Sequence, residues 1–501
     1  MIFRDWLKEL DYTLLQGSVD VETEDVIYDS RKAAPGKVFV AMKGIRVDGH
    51  SFIPQVLKAG VRVLVTERPV EEELKNSGLS EEELKQVTVV MVEEGRHALA
   101  LLSAARFDHP AKKLVMIGVT GTKGKTTTTH MIRAILLAAG KKVGMIGTTG
   151  TVIGYVVTPT LNTTPESYEL HQAFAQMVEA GCEYAVMEVS SQGIKMHRTD
   201  GLYFNYAIFT NISPDHIGPG EHADFEEYLY YKTRLLNMCG IGLVNKDDEH
   251  APQIIKAANC ELYTYSEESK EADFVASDIR YVSQPDFVGT EFHISGKYDM
   301  EVRLGIPGLF NVVNALAAVS VCSFLGLDQA RISHALENIR VNGRMEIVYT
   351  SERCTVLVDY AHNAVSMESL LSTLRDYKPK RLVCVFGCGG NRSKDRRYSM
   401  GEIGGKMADL SIITADNSRY EKVEDIIADI RGSIEKTGGK FIEIPDRREA
   451  IRYSILHAQP GDMVAVIGKG HEDYQEINGV RHHFLDREVI EETVKELGEK
   501  A

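Results

Sequence analysis

A chain of 501 residues has room for about two to four domains of ordinary size, each with its own core. Its 57 Lys and Arg stand against 72 Asp and Glu, and the net charge of −15 excludes the basic field that nucleic acid or an anionic membrane surface would require. Seven cysteines, odd in number and irregularly spaced, exclude a disulfide framework; Cys384 and Cys388 have no second pair at zinc-site spacing and read as buried or loop thiols.

In chain order, Met1 to Leu10 carries charges through its apolar positions, so it is not expected to be a signal peptide. A small α/β pattern follows, with strands at Val38–Ala41 and Val61–Val65 and a helix between them at Phe52–Ala59. The charged run Glu71–Gln86 reads as a solvated helix or an insertion. Phe107–Lys113, polar and proline-containing, marks a boundary.

Beyond it Val115, Met116, Ile117 and Val119 form a short apolar strand of the kind that fills a parallel sheet. It runs into a glycine-rich loop. Gly121 and Gly124 let backbone N–H groups curl toward an anion, Lys125 supplies a mobile positive charge, and the Thr126 hydroxyl can ligate Mg²⁺. Met131, Ile132, Ile135 and Leu136 then recur at helical spacing as far as Gly140, so a helix N-terminus is aimed at phosphate. Val119 occupies the first glycine position of the usual G-x-x-x-x-G-K-[ST] pattern. This pattern predicts a nucleotide-binding chain.

Apolar strands alternate with helical patterns to about Arg340, a second boundary lies near Val341–Gly343, and a further set of strands follows at Val356–Asp359, Leu382–Phe386, Leu410–Thr414 and Val464–Ile467. The expectation is three α/β domains built on doubly wound parallel sheets. Asn314–Leu327 is low in charge but too short to span a bilayer, and reads as a core helix; the chain is expected to be soluble and cytoplasmic.

Ligands of open parallel sheets sit beyond the carboxyl ends of the strands. Six such ends carry polar clusters: Glu188–Ser191, Thr210–His216, Asp359–Asn363, Gly387–Arg392, Asp416–Arg419 and Gly468–Glu472. Together they suggest a shared cleft where a nucleotide and an acceptor meet. Taken singly, Glu188 is a Mg²⁺ ligand, a helix cap or half of a surface ion pair, His216 a structural histidine, and Lys232 a solvated helix charge.

The ordered set Thr120–Thr127, Met187–Ser191, Thr210–His216, Gly308–Ala315, Gly343–Glu346 and Asp359–Asn363 resembles the Mur ligases, ATP-dependent amide-forming enzymes of peptidoglycan synthesis, over essentially the whole chain. The resemblance implies a UDP-binding domain at 1–110, a central P-loop-type ATPase domain at 111–340 and a Rossmann-like amino-acid-binding domain at 341–501. Tyr28–Arg31, Phe39–Ala41, Asp48–His50 and Asn162–Pro165 resemble the branch that adds the third stem residue to UDP-N-acetylmuramoyl-L-Ala-D-Glu. By that resemblance Ser30, Asn162, Thr163, Thr164, Ser190 and Arg198 would hold the UDP-sugar. Gly121, Thr122, Lys123, Gly124, Lys125, Thr126 and Thr127 would hold ATP, with Asn314 at the adenine and Arg344 and Asp359 closing the site.

The implied reaction activates the substrate carboxylate as an acyl phosphate, which the incoming amine then attacks; positioning and charge neutralisation dominate such chemistry. Lys125, Glu188, His216 and Lys232 are the expected catalytic group. Thr126, Glu188 and His216 are the implied Mg²⁺ ligands, completed by Lys232 as its carbamate (N6-carboxylysine). For the amino acid the resemblance names Arg397, Asp416, Asn417, Arg419, Gly468 and Glu472. Diaminopimelate-adding relatives have D-N-P-R where this chain has Asp416-Asn-Ser-Arg419, and the retained guanidinium suits a distal carboxylate. The loop His216–His222 instead resembles a branch that includes lysine-adding members. The balance favours meso-diaminopimelate, with L-lysine as the alternative and a monomer as the expected state. A folylpolyglutamate synthetase-like ligase, a dinucleotide oxidoreductase and a non-catalytic nucleotide-binding regulator are the more distant readings.

Overall fold

A computed structural model describes every residue except 45, 46, 216, 219 and 499–501. The described residues fall into two compact units, Met1–Tyr265 and Ser266–Ala501.

The first unit opens with a five-stranded sheet in the order Thr13–Gln16, Thr88–Met91, Val63–Thr66, Lys37–Val40, Asp25–Ile27, parallel except for the first strand. Successive residues of a strand point to opposite faces, and both faces are covered: Val38 and Val40 pack under the helix Gly95–Arg106, while Phe39 packs with Ile53, Val56 and Leu57. The acidic run forms two short helices, Glu71–Lys75 and Glu81–Leu84, the second closed by a Ser80–Glu83 capping box.

The second sheet of this unit has six parallel strands in the order Val143–Gly147, Tyr184–Glu188, Val115–Thr120, Phe204–Phe209, Cys239–Asn245, Glu261–Ser266. Its register sets Glu188 beside Val119 and Phe209 beside Thr120, so the three central strands end together. Beyond Val143–Gly147 the sheet continues through Gly150–Ile153 and Val156–Thr158, both antiparallel. A wholly parallel sheet is therefore not what forms. Two residues link Gly147 to Gly150, and a parallel return needs a far longer crossover.

The second unit begins with another antiparallel set, Phe274–Gln284, Phe287–Gly296 and Met300–Leu304, for the same reason of short links. The helix Leu309–Phe324 is buried over most of its surface, as the low charge of that stretch predicts. A six-stranded sheet follows in the order Glu346–Thr350, Cys354–Asp359, Asp462–Ile467, Arg381–Phe386, Leu410–Ile413, Phe441–Glu443, parallel but for its first strand. A hairpin, Tyr474–Ile477 with Val480–His483, turns on Asn478-Gly479.

Cys384 and Cys388 are buried free thiols. Among the described residues no helix is long and apolar enough to cross a membrane.

Candidate active site

The strand Val115–Thr120 delivers the glycine loop to the helix Lys125–Ala138. At Gly121 φ is +144°, and a Cβ there would overlap the Thr210 hydroxyl, so only glycine fits. The loop is strapped to the end of the neighbouring strand. Thr122 N–H donates to the Asn211 carbonyl at 2.8 Å, Lys123 N–H to Asn211 Oδ1 at 2.9 Å, and the Thr210 hydroxyl to the Lys123 carbonyl at 2.6 Å. Lys125 Nζ curls back onto the carbonyls of Gly121 and Thr122 at 2.8 and 3.1 Å. Thr126 and Thr127 are buried in the helix's first turn.

Glu188, ending the adjacent strand, is 1 % exposed. Its carboxylate accepts from the Thr126 hydroxyl at 3.0 and 3.1 Å, from Thr148 N–H at 2.8 Å and from the Thr148 hydroxyl at 3.2 Å. These donors are uncharged and none is the N–H of a helix first turn, so it is neither half of a surface ion pair nor a helix cap; Ser190 caps the helix that follows. Thr126 and Glu188 together form a buried all-oxygen donor set, the kind a small hard cation such as Mg²⁺ takes.

Lys232 overturns its reading as a solvated charge. It is 2 % exposed, donates to the Gly121 carbonyl at 2.7 Å, and lies 4.7 Å from the Tyr228 ring centroid. Burial, with repulsion from Lys125, holds its pKa well below the ordinary lysine value, which favours the neutral amine. Tyr228, one helical turn earlier, also bonds the Thr122 hydroxyl at 3.0 Å. His216 lies outside the described residues.

The segment expected to meet the sugar diphosphate converges on the same strand end. Thr164 donates to the Glu188 carbonyl at 3.0 Å and accepts from Ser190 N–H at 2.9 Å. The Thr163 hydroxyl bonds that of Thr148 at 3.0 Å. Arg198 donates to the Thr164 carbonyl at 3.0 Å and pairs with Glu166 at 2.7 Å. Ser190 caps the helix Ser191–Lys195, and Asn162 is exposed. Ser30 opens the turn Ser30–Lys32 on the first sheet; its neighbour Tyr28 reaches Glu169 at 2.9 Å.

In the second unit, Asn314 donates to Asn311 at 3.2 Å, Asn311 reaches the Met345 sulfur at 3.9 Å, and Met345 N–H donates to Asp359 at 2.8 Å. Arg344 lies over the Tyr360 ring at 4.9 Å. These contacts bring Asn314, Arg344 and Asp359 into one neighbourhood. Burial raises the Asp359 carboxyl above its usual value, and N–H groups together with Arg344 only partly offset it.

At the strand ends of the six-stranded sheet lies a cavity of about 690 Å³ whose walls include Asp416, Asn417, Arg419, Gly468 and Glu472. Asn417 donates to Glu472 at 2.9 Å; the buried Lys469 stands 3.3 Å from the same carboxylate and donates to the Tyr474 carbonyl. Gly468, at φ +112°, leaves space that a Cβ would take from Asp416. Arg419 holds the left-handed φ of +52° with its guanidinium on the Gly390 carbonyl at 2.7 Å. Its main chain donates to the Glu476 carbonyl at 2.9 Å and accepts from Asn478 at 2.6 Å, which ties the hairpin to the cavity wall. Behind the wall, Arg447 and Asp486 form a fully buried pair at 2.7 Å, and Arg447 also reaches the carbonyls of Ala415 and Ile467.

Arg397 is not in that cavity. It is 1 % exposed and already paired with Glu421 at 2.8 Å and Asp429 at 2.9 Å, because its position on the helix Asp395–Met407 turns it toward the next helix. Arg392 and Arg396, from the same stretch, line the cavity instead, as does Arg481 from the hairpin. Sequence reasoning also missed Thr148 and Tyr228. Thr148 follows an apolar strand, so the strand-end rule would have found it; Tyr228 stands at i−4 from Lys232, on one helix face.

Comparison with known proteins agrees along the length of the chain. Residues 23–107 match the Mur ligase family catalytic domain, 119–322 the Mur ligase middle domain and 343–470 the Mur ligase glutamate ligase domain. UDP-N-acetylmuramoyl-L-alanyl-D-glutamate–2,6-diaminopimelate ligase of Caldanaerobacter subterraneus subsp. tengcongensis is 38 % identical over 498 residues, covering 98 % of each chain. The enzyme of the same name from Clostridium perfringens is 37 % identical over 98 % of this chain and 99 % of its own. A solved structure of a ligase of that name superposes with a TM-score of 0.72 at 30 % identity, covering 95 % of this chain and 96 % of the other. A folylpolyglutamate synthase from Thermotoga maritima shares the fold at 18 % identity and a TM-score of 0.58, over 74 % of this chain and 89 % of its own.

Proposed function

Because the chain belongs to the Mur ligase family, we propose that it is an ATP-dependent ligase joining meso-diaminopimelate to the D-glutamyl γ-carboxylate of UDP-N-acetylmuramoyl-L-Ala-D-Glu. The observation that carries this reading is the convergence of Thr126, Glu188 and Lys232 on one phosphate loop, beside the segment Asn162–Thr164.

The γ-carboxylate attacks the γ-phosphate of ATP. A carboxylate oxygen–phosphorus bond forms, the bond to ADP breaks, and an acyl phosphate results. The amine of the amino acid then attacks the carbonyl carbon, loses a proton and expels phosphate. Lys125 and the loop N–H groups of Gly121–Thr127 bear the phosphate charge through in-line transfer. Thr126 and Glu188, with His216 and Lys232 as its carbamate, would hold Mg²⁺, which supplies charge neutralisation at the transferring phosphoryl group. The low basicity of buried Lys232 supports that modification: a neutral amine adds to CO₂, forms an N–C bond, loses a proton and becomes an anionic oxygen ligand.

Ser30, Asn162, Thr163, Thr164, Ser190 and Arg198 hold the UDP-sugar in this reading, and Asn314, Arg344 and Asp359 the nucleoside side of ATP. Asp416, Asn417, Arg419, Gly468 and Glu472 hold the distal amino and carboxylate groups of the acceptor. Arg397 would have to leave Glu421 to meet the α-carboxylate, whereas Arg392 and Arg396 need no such exchange. The enzyme works as a cytoplasmic monomer, with domains at 1–110, 111–340 and 341–501.

Phosphate release from ATP and UDP-N-acetylmuramoyl-L-Ala-D-Glu, measured with meso-diaminopimelate and L-lysine in parallel, tests the proposal. Turnover with diaminopimelate alone is expected. Turnover with lysine alone would overturn the acceptor, and turnover with neither would overturn the reaction.

A further inference from the structure

Apart from the ligase chemistry, one cluster in the first unit is built from groups that bind metals. His97 stands on the helix Gly95–Arg106 of the first sheet; His197 and Asp200 stand on the turn that follows the helix Ser191–Lys195 of the second. His97 Nδ1 lies 2.6 Å and His197 Nδ1 2.8 Å from the same carboxylate oxygen, Asp200 Oδ2. The two rings meet edge to face at 6.2 Å. Two imidazoles thus converge on a single oxygen from elements separated by 103 positions in the chain.

We propose that His97, His197 and Asp200 form a binding site for a divalent transition metal, Zn²⁺ being the best fit, which clips the first sheet's helix to this turn. Three observations support it. A ring nitrogen of each histidine and a carboxylate oxygen all lie within 4.8 Å of one another. His197 holds a left-handed φ of +56°, a conformation that costs a non-glycine residue energy and is kept here while its ring aims at the other two ligands. The side chains are 44, 39 and 21 % exposed, so a cation can enter and keep a water as its fourth ligand.

The donor set selects the metal. Two imidazoles and one carboxylate suit Zn²⁺, and Co²⁺ as its spectroscopic substitute, far better than Mg²⁺, which wants oxygen alone. Neighbouring ligands around a tetrahedral Zn²⁺ stand about 3.3 Å apart, given bonds of about 2.0–2.1 Å. The present contacts are hydrogen bonds and shorter than that. Binding therefore moves the Nδ1 protons to Nε2 and lengthens each of the two His–Asp200 contacts by roughly half an ångström.

The test uses full-length protein without a histidine tag, in excess Mg²⁺. Zn²⁺ is titrated against a chromophoric chelator, Co²⁺ binding is followed by its visible absorption, and melting is recorded with and without Zn²⁺. Wild type is expected to take up one tight Zn²⁺, give intense tetrahedral-type Co²⁺ bands and melt higher with Zn²⁺. His97→Ala should bind at least about tenfold more weakly, since even outer-shell changes cost that much. His97→Cys, which restores a ligand, should recover binding. Absence of stoichiometric Zn²⁺ in wild type, unchanged affinity in His97→Ala, or no recovery in a folded His97→Cys would each overturn the site.

Discussion

The glycine loop and the cavity proposed for the acceptor answer opposite demands with similar residues. Around the loop the polar groups are buried or half-buried and engaged with one another: Thr126 with Glu188, Lys232 with Gly121, Thr122 with Tyr228. The cavity is wide and lined by charges of both signs, with Arg419, Arg392, Arg396 and Arg481 facing Asp416, Glu472 and Glu476. A reaction that transfers phosphate needs fixed dipoles that do not reorganise. An acceptor that carries several charged groups needs partners for each of them. In the proposed reading, rigid chemistry and discriminating recognition are thus assigned to different sets of strand ends.

Substitutions can break this contrast. The largest effect is expected at Lys232→Arg, which fixes a permanent positive charge where the proposed carbamate would be anionic. kcat should fall by about a hundredfold or more, the scale of losing one preorganised charge-stabilising group. Steady-state kinetics with normal turnover would sink the loop assignment. Next comes Arg419→Ala, where losing a charged hydrogen bond worth about 1.5–3 kcal/mol should raise the diaminopimelate KM about 10- to 100-fold and leave the ATP KM unchanged. An equal loss of both would mean that the two sites are not separate in function.

Tyr228→Phe sharpens the contrast by removing only the hydroxyl on Thr122 while leaving the ring beside Lys232. With a neutral hydrogen bond worth about 1 kcal/mol, kcat should drop about fivefold and the diaminopimelate KM should stay put. The smallest effect concerns stability. His171 is buried on the helix Ser167–Glu179, and among the described residues neither of its ring nitrogens has a partner, whereas Arg447 in the second unit is buried but paired with Asp486. Burial lowers the His171 pKa from 6.5 to about 3. The unfolded chain therefore binds a proton that the folded chain refuses, and stability falls as pH drops below about 6.5, down to about 3. His171→Leu should flatten that slope in urea melts at pH 5 against pH 7; an unchanged slope would contradict the assignment.

Much of the loop was legible in the sequence because strand, glycines, lysine and threonine are contiguous, and their spacing alone dictates the turn. Glu188 was legible as a polar residue closing an apolar strand, and Asp416–Glu472 by the same rule. Lys232 was not legible from its own surroundings, since its burial depends on where a distant strand ends. Arg397 shows the converse failure. Three arginines within six residues, Arg392 to Arg397, cannot be told apart by pattern when helix phase decides which one faces the cavity and which one faces Glu421. The antiparallel margins escaped too, because apolar strands look alike and only the length of the connection sets their direction.

Arg419 is tied to the hairpin through its main chain, not its side chain. Those bonds to Glu476 and Asn478 survive replacement by any residue that accepts a positive φ, with asparagine and glycine at least strain and β-branched residues at most. If Arg419 reads the acceptor as proposed, the guanidinium can therefore be exchanged while the hairpin and the cavity wall it braces stay in place.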